Sequence, residues 1–314
     1  MPRRGGRTGG AFDRGLLSPV TAQSDAGSGL DDAAFARCLV AAEVALTRAW
    51  AELGVAPVEA AEAVSAAFGI GPEAGVHGDT RFAVRPADDA LSQAEIARLS
   101  AESASGGNPV IPLVALMRDR VPEHARGWVH RGATSQDIMD TALMLLAQDA
   151  ISGVLVSTEW AGEHLVRLAA EHRDRVAVAR TLTQHAVPTK MGLRFANWER
   201  GLRRATDRLC GASELPVQLG GAAGTMAAFL EIGGAEAAAA LPAAFADELL
   251  LDAPDAPWHT ARWPITELGD ALVQVTDALG VIAADVATLS RTEIGELAEG
   301  GGGGSSAMPQ KRNP

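Results

Sequence analysis

Three short stretches concentrate residue types that can do chemistry. The first is "HRGATSQDIMDTALML", residues 130–145. Gly132 permits a tight turn, and Thr134 and Ser135 place hydroxyls and unpaired backbone N–H groups at the start of the helix that follows. A helix N-terminus carries positive partial charge, so this is a ready anion site; the same residues also read as ordinary capping by Thr134, Ser135 or Asp137. The second is "ARTLTQHAVPTKMG", residues 179–192, which gathers Arg180, Thr181, Thr183, Gln184, His185, Thr189 and Lys190. A plain interhelical connection needs no such density of donors, although His185 alone reads more readily as structural than as catalytic. The third is "GGGGGSSAMPQKRNP", residues 300–314. Its glycines let backbone amides approach a ligand closely, Ser305 and Ser306 add hydroxyls, and Lys311 and Asn313 add donors. The same composition suits a flexible linker, and locally the two readings balance.

Each cluster falls where a helix begins or ends. Residues 31–53 form the first strong helix, with Asp31 or Asp32 as N-cap, a stripe of Phe35, Leu39, Ala42, Leu46, Ala49 and Leu53, and Gly54 as its end. A weaker helix covers Val58 to Phe68, residues 69–86 are irregular, a further helix starts near Asp88, and a turn and short apolar helix lie between Ser103 and Pro122. One long helix runs from Ile138 to about Arg175. Another starts near Thr189, with Met191, Phe195, Trp198, Leu202, Ala205 and Leu209 on one stripe. After Pro264, which suits a first helical position, Ile265, Leu268, Leu272, Val275, Leu279, Ile282, Val286 and Leu289 keep a three-four alternation. Such seams pack as near-parallel bundle helices. No convincing strand run or repeat stands out. The fold class is all-α, an elongated bundle of a kind often completed by other subunits.

Composition agrees. The 314 residues are 47% hydrophobic, mainly Ala, Leu and Val, with 4% aromatics and no tyrosine, which favours helix. A net charge of −12 argues against nucleic acid as a partner while allowing a locally positive pocket for an anion. Cys38 and Cys210 show no metal-ligand spacing and read as buried free thiols, suited to a reducing cytoplasm. The basic start, "MPRRGGRTGGAF", lacks the apolar core of a signal peptide and reads as a loose arm. No uninterrupted apolar stretch is long enough to span a membrane.

Taken together, the clusters resemble the signatures of the aspartase/fumarase superfamily. Gly304 to Pro314 matches every fixed position of GSSxMPxKxNP. His130, Gly132, Thr134, Ser135, Asp137, Asp140 and Thr141 match HxGxTSxDxxDT, and Arg180, Thr181, Gln184, Ala186, Pro188 and Gly192 match RTxxQxAxPxxxG. The branch most similar is that of the 3-carboxy-cis,cis-muconate cycloisomerases, through "LLSPV", "NPVIPLV", "LTQHAVPT" and "PWHTAR". Leu182 stands where fumarase, argininosuccinate lyase and adenylosuccinate lyase place a histidine. Lys190 stands where the cycloisomerases more often have threonine.

The resemblance implies a fumarase-type bundle with a flexible arm at 1–15, a small N-terminal helical domain at 16–125 and a central long-helix domain at 126–314. Family members continue past the third signature into a C-terminal domain, so a C-terminally truncated chain is the expectation. It implies addition or β-elimination on a small polycarboxylate, with Ser305 as base or acid, Lys311 and Asn313 holding a carboxylate, and His185 in the catalytic group. His130, Thr134, Ser135, Arg180, Thr181, Gln184, Ser306, Met308, His259 and Arg262 would bind the rest of the substrate. In the cycloisomerase direction the product is 4-carboxymuconolactone, in protocatechuate breakdown. The alternatives are a fumarate-releasing lyase acting on a substituted succinate such as nitrosuccinate, and a non-catalytic helical assembly. No metal or cofactor is implied. A cytoplasmic homotetramer sharing active sites between subunits is.

Overall fold

A computed structural model describes residues 29–71, 84–298, 300 and 305–308. The arm expected at 1–15, most of the irregular 69–86 stretch, and Lys311 and Asn313 lie outside the described residues. The fold is helical: α1 (Asp32–Glu52), α2 (Val58–Ala67), α3 (Gln93–Gly106), α4 (Val110–Arg120), α5 (Glu123–Arg126), α6 (Ser135–Glu171), α7 (Met191–Gly211), α8 (Ala227–Leu249) and α9 (Trp263–Leu289), with strands β1 (Val176–Thr181) and β2 (Gln184–Lys190) between α6 and α7. The chain divides into two compact units, one from the described parts of Met1–Gly153 and Glu214–Pro264, the other from those of Val154–Ser213 and Ile265–Pro314.

In the first unit α1 is the central helix. Asp31 caps it by accepting from the Ala34 amide at 2.9 Å, and Leu39, Val40, Ala42, Val44, Leu46 and Trp50 are all buried. A helix apolar nearly all round is enclosed on all sides, and α1 packs against α2, α3 and α8. The helix expected near Asp88 begins at Gln93, where Ser92 and Glu95 form a reciprocal capping box. α8 breaks at Gly234, whose φ of 76° and ψ of 177° are non-helical.

In the second unit the expected α7 stripe is the core. Met191, Phe195, Trp198 and Leu202 bury against Leu165, with Ala278, Ile282 and Val286 of α9 packed alongside. Trp198 sets its ring edge-on to Phe195 and donates Nε1 to Asp285 at 2.9 Å. The 191–192 junction is equally tight. A Cβ on Gly192 would lie 2.6 Å from the Ala169 carbonyl oxygen and 2.7 Å from Cα of Arg173. Both neighbours are backbone, so Gly192→Ala is expected to cost about 1–3 kcal/mol through overpacking, read as a lower urea midpoint at unchanged slope.

Three expectations are corrected. Residues 176–190 form an antiparallel hairpin, Val176 opposite Lys190 and Thr181 opposite Gln184, where a polar loop was expected; Val176, Val178, Thr181 and Thr189 supply β-branched residues that suit a pleated ribbon. Cys38 is half-buried and Cys210 is exposed, because Cys210 lies off the buried stripe of α7. Burial still pushes the Cys38 thiol up to about 11. By length and composition, α6, α8 and α9 are apolar enough to cross a membrane. Alanine and glycine keep their mean hydropathy high although acids such as Asp270, Asp277 and Asp285 interrupt α9.

Candidate active site

The first cluster heads α6 in the first unit. Asp137 is fully buried and reaches back to accept from the Thr134 amide at 2.9 Å, half of a capping box. It also accepts from the amides of Gly220 at 2.8 Å and Gly221 at 3.0 Å, and its Oδ1 lies 2.8 Å from Nε2 of His259. One carboxylate therefore ties the helix head to two later loops. Arg262 grips Asp140 with both terminal nitrogens at 2.6 and 3.0 Å and stacks over Trp258. Thr141 exchanges hydrogen bonds with the backbone of Gln218, at 2.9 Å to its amide and 3.2 Å to its carbonyl. His259 and Arg262, expected as substrate ligands, thus engage the signature acids directly.

This leaves the helix tip itself for a ligand. Thr134 and Ser135 are half-buried, and among the described residues neither hydroxyl has a hydrogen-bond partner. Of the first-turn amides, that of Asp137 donates to the Thr134 carbonyl at 3.0 Å, and those of Ser135 and Gln136 precede the first intrahelical bond. Gly132 sits at φ 85°, and a Cβ there would meet the Phe229 ring at 2.8 Å, so the turn admits glycine alone. His130, next to this tip, lies 2.7 Å through Nδ1 from the buried Glu43 carboxylate. Burial pulls its proton affinity down, but the Glu43 hydrogen bond and charge outweigh it and lift the imidazole above its ordinary value.

The second and third clusters fall in the second unit. Leu182 and Thr183 form the hairpin tip with φ of 49° and 66°. Two-residue hairpin loops need positive φ at both positions, normally supplied by Asn or Gly, so a leucine and a β-branched threonine here are strained. Strain of this kind collects at functional sites. Thr181, Gln184 and His185 are exposed beside the tip, and no described residue hydrogen-bonds their side chains. Arg180 does have a partner, donating Nη2 to Glu296 at 2.7 Å, while Arg194 holds the other Glu296 oxygen at 2.9 Å. These hydrogen bonds, Arg180 first, keep the Glu296 carboxyl below the usual carboxylate range. In the third cluster the Ser305 hydroxyl accepts from the Met308 amide at 3.0 Å, and Ser306 and Met308 are exposed.

Two clefts, of about 440 Å³ between α7 and α9 and about 540 Å³ beside α1 and α2, contain none of the expected site residues. Sequence reasoning missed Glu43, Gln218 and Glu296. Each meets its partner from far along the chain, and no local spacing announces it.

A mostly helical fold that carries signature residues at a helix head, at a strained hairpin tip and around Ser305 is that of a lyase-type protein. The chain belongs to the lyase family of the aspartase/fumarase superfamily, whose family description matches residues 21–314. Among named relatives it is 42% identical to a nitrosuccinate lyase from Streptomyces davaonensis, over 96% of this chain and 61% of that one. It is 36% identical to a 3-carboxy-cis,cis-muconate cycloisomerase from Bradyrhizobium diazoefficiens, over 95% of this chain and 62% of that one. The solved structure of a 3-carboxy-cis,cis-muconate lactonizing enzyme from Pseudomonas putida superposes with a TM-score of 0.79 at 31% identity, covering 95% of this chain and 62% of that one. The chain thus spans about three fifths of the length of the relatives it matches.

Proposed function

We propose that this protein is a β-eliminating lyase acting on a substituted succinate, of the nitrosuccinate lyase type. The observation that carries this is the 42% identity over 96% of the chain, and it reverses the preference drawn from the motifs alone. Ser305 takes a proton from the carbon next to a carboxylate, the carbon–nitrogen bond breaks at the neighbouring carbon, nitrite leaves and fumarate remains. The difficulty is the doubly charged aci-carboxylate, which needs a base and fixed donors aimed at the developing charge. Lys311 and Asn313 hold that carboxylate. The α6 tip, with His130, Thr134 and Ser135, and the hairpin residues Thr181, Gln184 and His185 hold the other.

The second reading is the 3-carboxy-cis,cis-muconate cycloisomerase, supported by relatives of that name at 34 to 37% identity and by the P. putida structure. In both readings the site is built from several copies of the chain. The apolar surfaces left exposed on α6 (Val156, Trp160, Val166) and α9 (Val273, Leu279, Val281) support that. The test is turnover of both substrates. Fumarate and nitrite appearing from nitrosuccinate in equal amounts bear out the first reading. Loss of the muconate ultraviolet absorbance without fumarate, and no action on nitrosuccinate, overturns it in favour of the second.

A further inference from the structure

Four consecutive residues ahead of α6 are each tied down separately. On α1, Thr47 donates its hydroxyl to the Trp128 carbonyl at 3.2 Å, and Trp50 donates Nε1 to the Arg131 carbonyl at 3.2 Å. Arg118 on α4 donates Nη2 to the Val129 carbonyl at 3.0 Å. The fourth tie is Glu43, whose Oε1 lies 2.7 Å from Nδ1 of His130. Glu43, Thr47 and Trp50 stand four and three residues apart, so one face of α1 grips three of the four residues and Arg118 of α4 holds the other. His130 is held at φ 62°, a conformation that persists in a non-glycine residue only where the surroundings over-determine it.

Glu43 is also costly. It is 0% exposed, and its second oxygen is buried without a hydrogen-bond partner among the described residues. An apolar residue would fill a merely structural position at lower cost. Meanwhile no described residue takes Nε2 of His130.

We propose that Glu43 is a positioning residue for the first cluster, fixing the His130 ring through Nδ1 so that the imidazolium offers Nε2–H to a substrate carboxylate. This rests on reading His130 as a substrate-binding residue. The charge state decides the contact. Protonated, the ring donates from both nitrogens. Neutral, with its proton kept on Nδ1 toward Glu43, it presents a lone pair at Nε2 and repels the carboxylate. Glu43 on α1 and Asp137 on α6 favour the charged ring, whereas burial and Arg118 on α4 oppose it. The raised folded value means that carboxylate affinity is fully present at low pH and is lost as pH rises through it. Without the Glu43 charge, burial and Arg118 win and that loss moves to lower pH.

The experiment is calorimetric titration with fumarate across pH for the protein, Glu43→Gln, His130→Gln and the double variant. Glu43→Gln is expected to weaken binding at neutral pH roughly tenfold and to shift the pH limb downward. The double variant should match His130→Gln, because the two residues act as one unit. An unmoved limb in Glu43→Gln, or effects that simply add, overturns the proposal and leaves His130 as a ligand. Unchanged affinity and pH profile in His130→Gln removes the reading of His130 itself. Should Glu43→Gln fail to fold, Glu43→Asp keeps the charge at shorter reach and is expected to move the limb part way; a limb that stays put overturns the proposal.

Discussion

Ser305→Ala is expected to lower kcat by about 10²- to 10⁴-fold, the range for loss of a proton-transferring side chain, with KM much less affected. A serine hydroxyl is a poor base unless its oxyanion is stabilised, and one donor is already in place. The Met308 amide donates to Ser305 Oγ at 3.0 Å, and a backbone N–H aimed at a developing charge stabilises it. The glycine run ahead of Ser305 can bring further amides close without side-chain obstruction. Alanine removes the oxygen and little else, so circular dichroism and subunit assembly should be unchanged. Single-turnover and steady-state assays with the preferred substrate check this. Retention of more than a tenth of kcat would sink the proposed role.

The second large effect is on stability. Asp137→Ala is expected to cost about 3–5 kcal/mol, as breaking a buried, multiply bonded charge does. The amides of Thr134, Gly220 and Gly221 and the His259 ring all lose their acceptor. At roughly 2–4 °C per kcal/mol for a chain of this size, Tm falls by about 10 °C. Asp137→Asn keeps one carbonyl oxygen but turns an NH₂ toward an amide donor, so it should recover only part of the loss. Thermal and urea unfolding of the three proteins measure this directly. Equal stability of Asp137→Ala and the parent would show that water satisfies those amides, contrary to their burial.

Much of the fold was legible because helices announce themselves by period. The α7 stripe from Met191 to Leu209 is buried as its three-four spacing requires. The α9 stripe has the same spacing, yet Leu272 and Leu279 remain exposed: a pattern says which face is apolar, not what covers it. The hairpin escaped notice for a physical reason. β1 reads Val-Ala-Val-Ala-Arg-Thr, with two alanines that disfavour strand, and its tip lacks the Asn-Gly pair that marks a two-residue turn.

The site divides in the same way. Motif spacing singled out His130, Thr134, Ser135, Arg180 and Ser305 as candidates, because those residues lie in contiguous runs. It could not locate Glu43, 87 residues from His130, or Glu296, 116 residues from Arg180. Nor could it assign Asp137 and Asp140 to loop anchoring, since their partners are set by tertiary folding and not by local sequence.

The reach of Asp137 carries a consequence for biosynthesis. His259 is made 122 residues after it, which at about 5–20 residues per second is a delay of roughly 6–24 s. For most of that interval the nascent α6 has a carboxylate at its head with one native donor, the Thr134 amide; those of Gly220 and Gly221 follow 83 and 84 residues later, and His259 last. The α6 tip therefore cannot mature with its own helix during translation. It waits on the later loops, and a ribosome stalled between residues 171 and 259 would have made all of α6 without the last partner of its head.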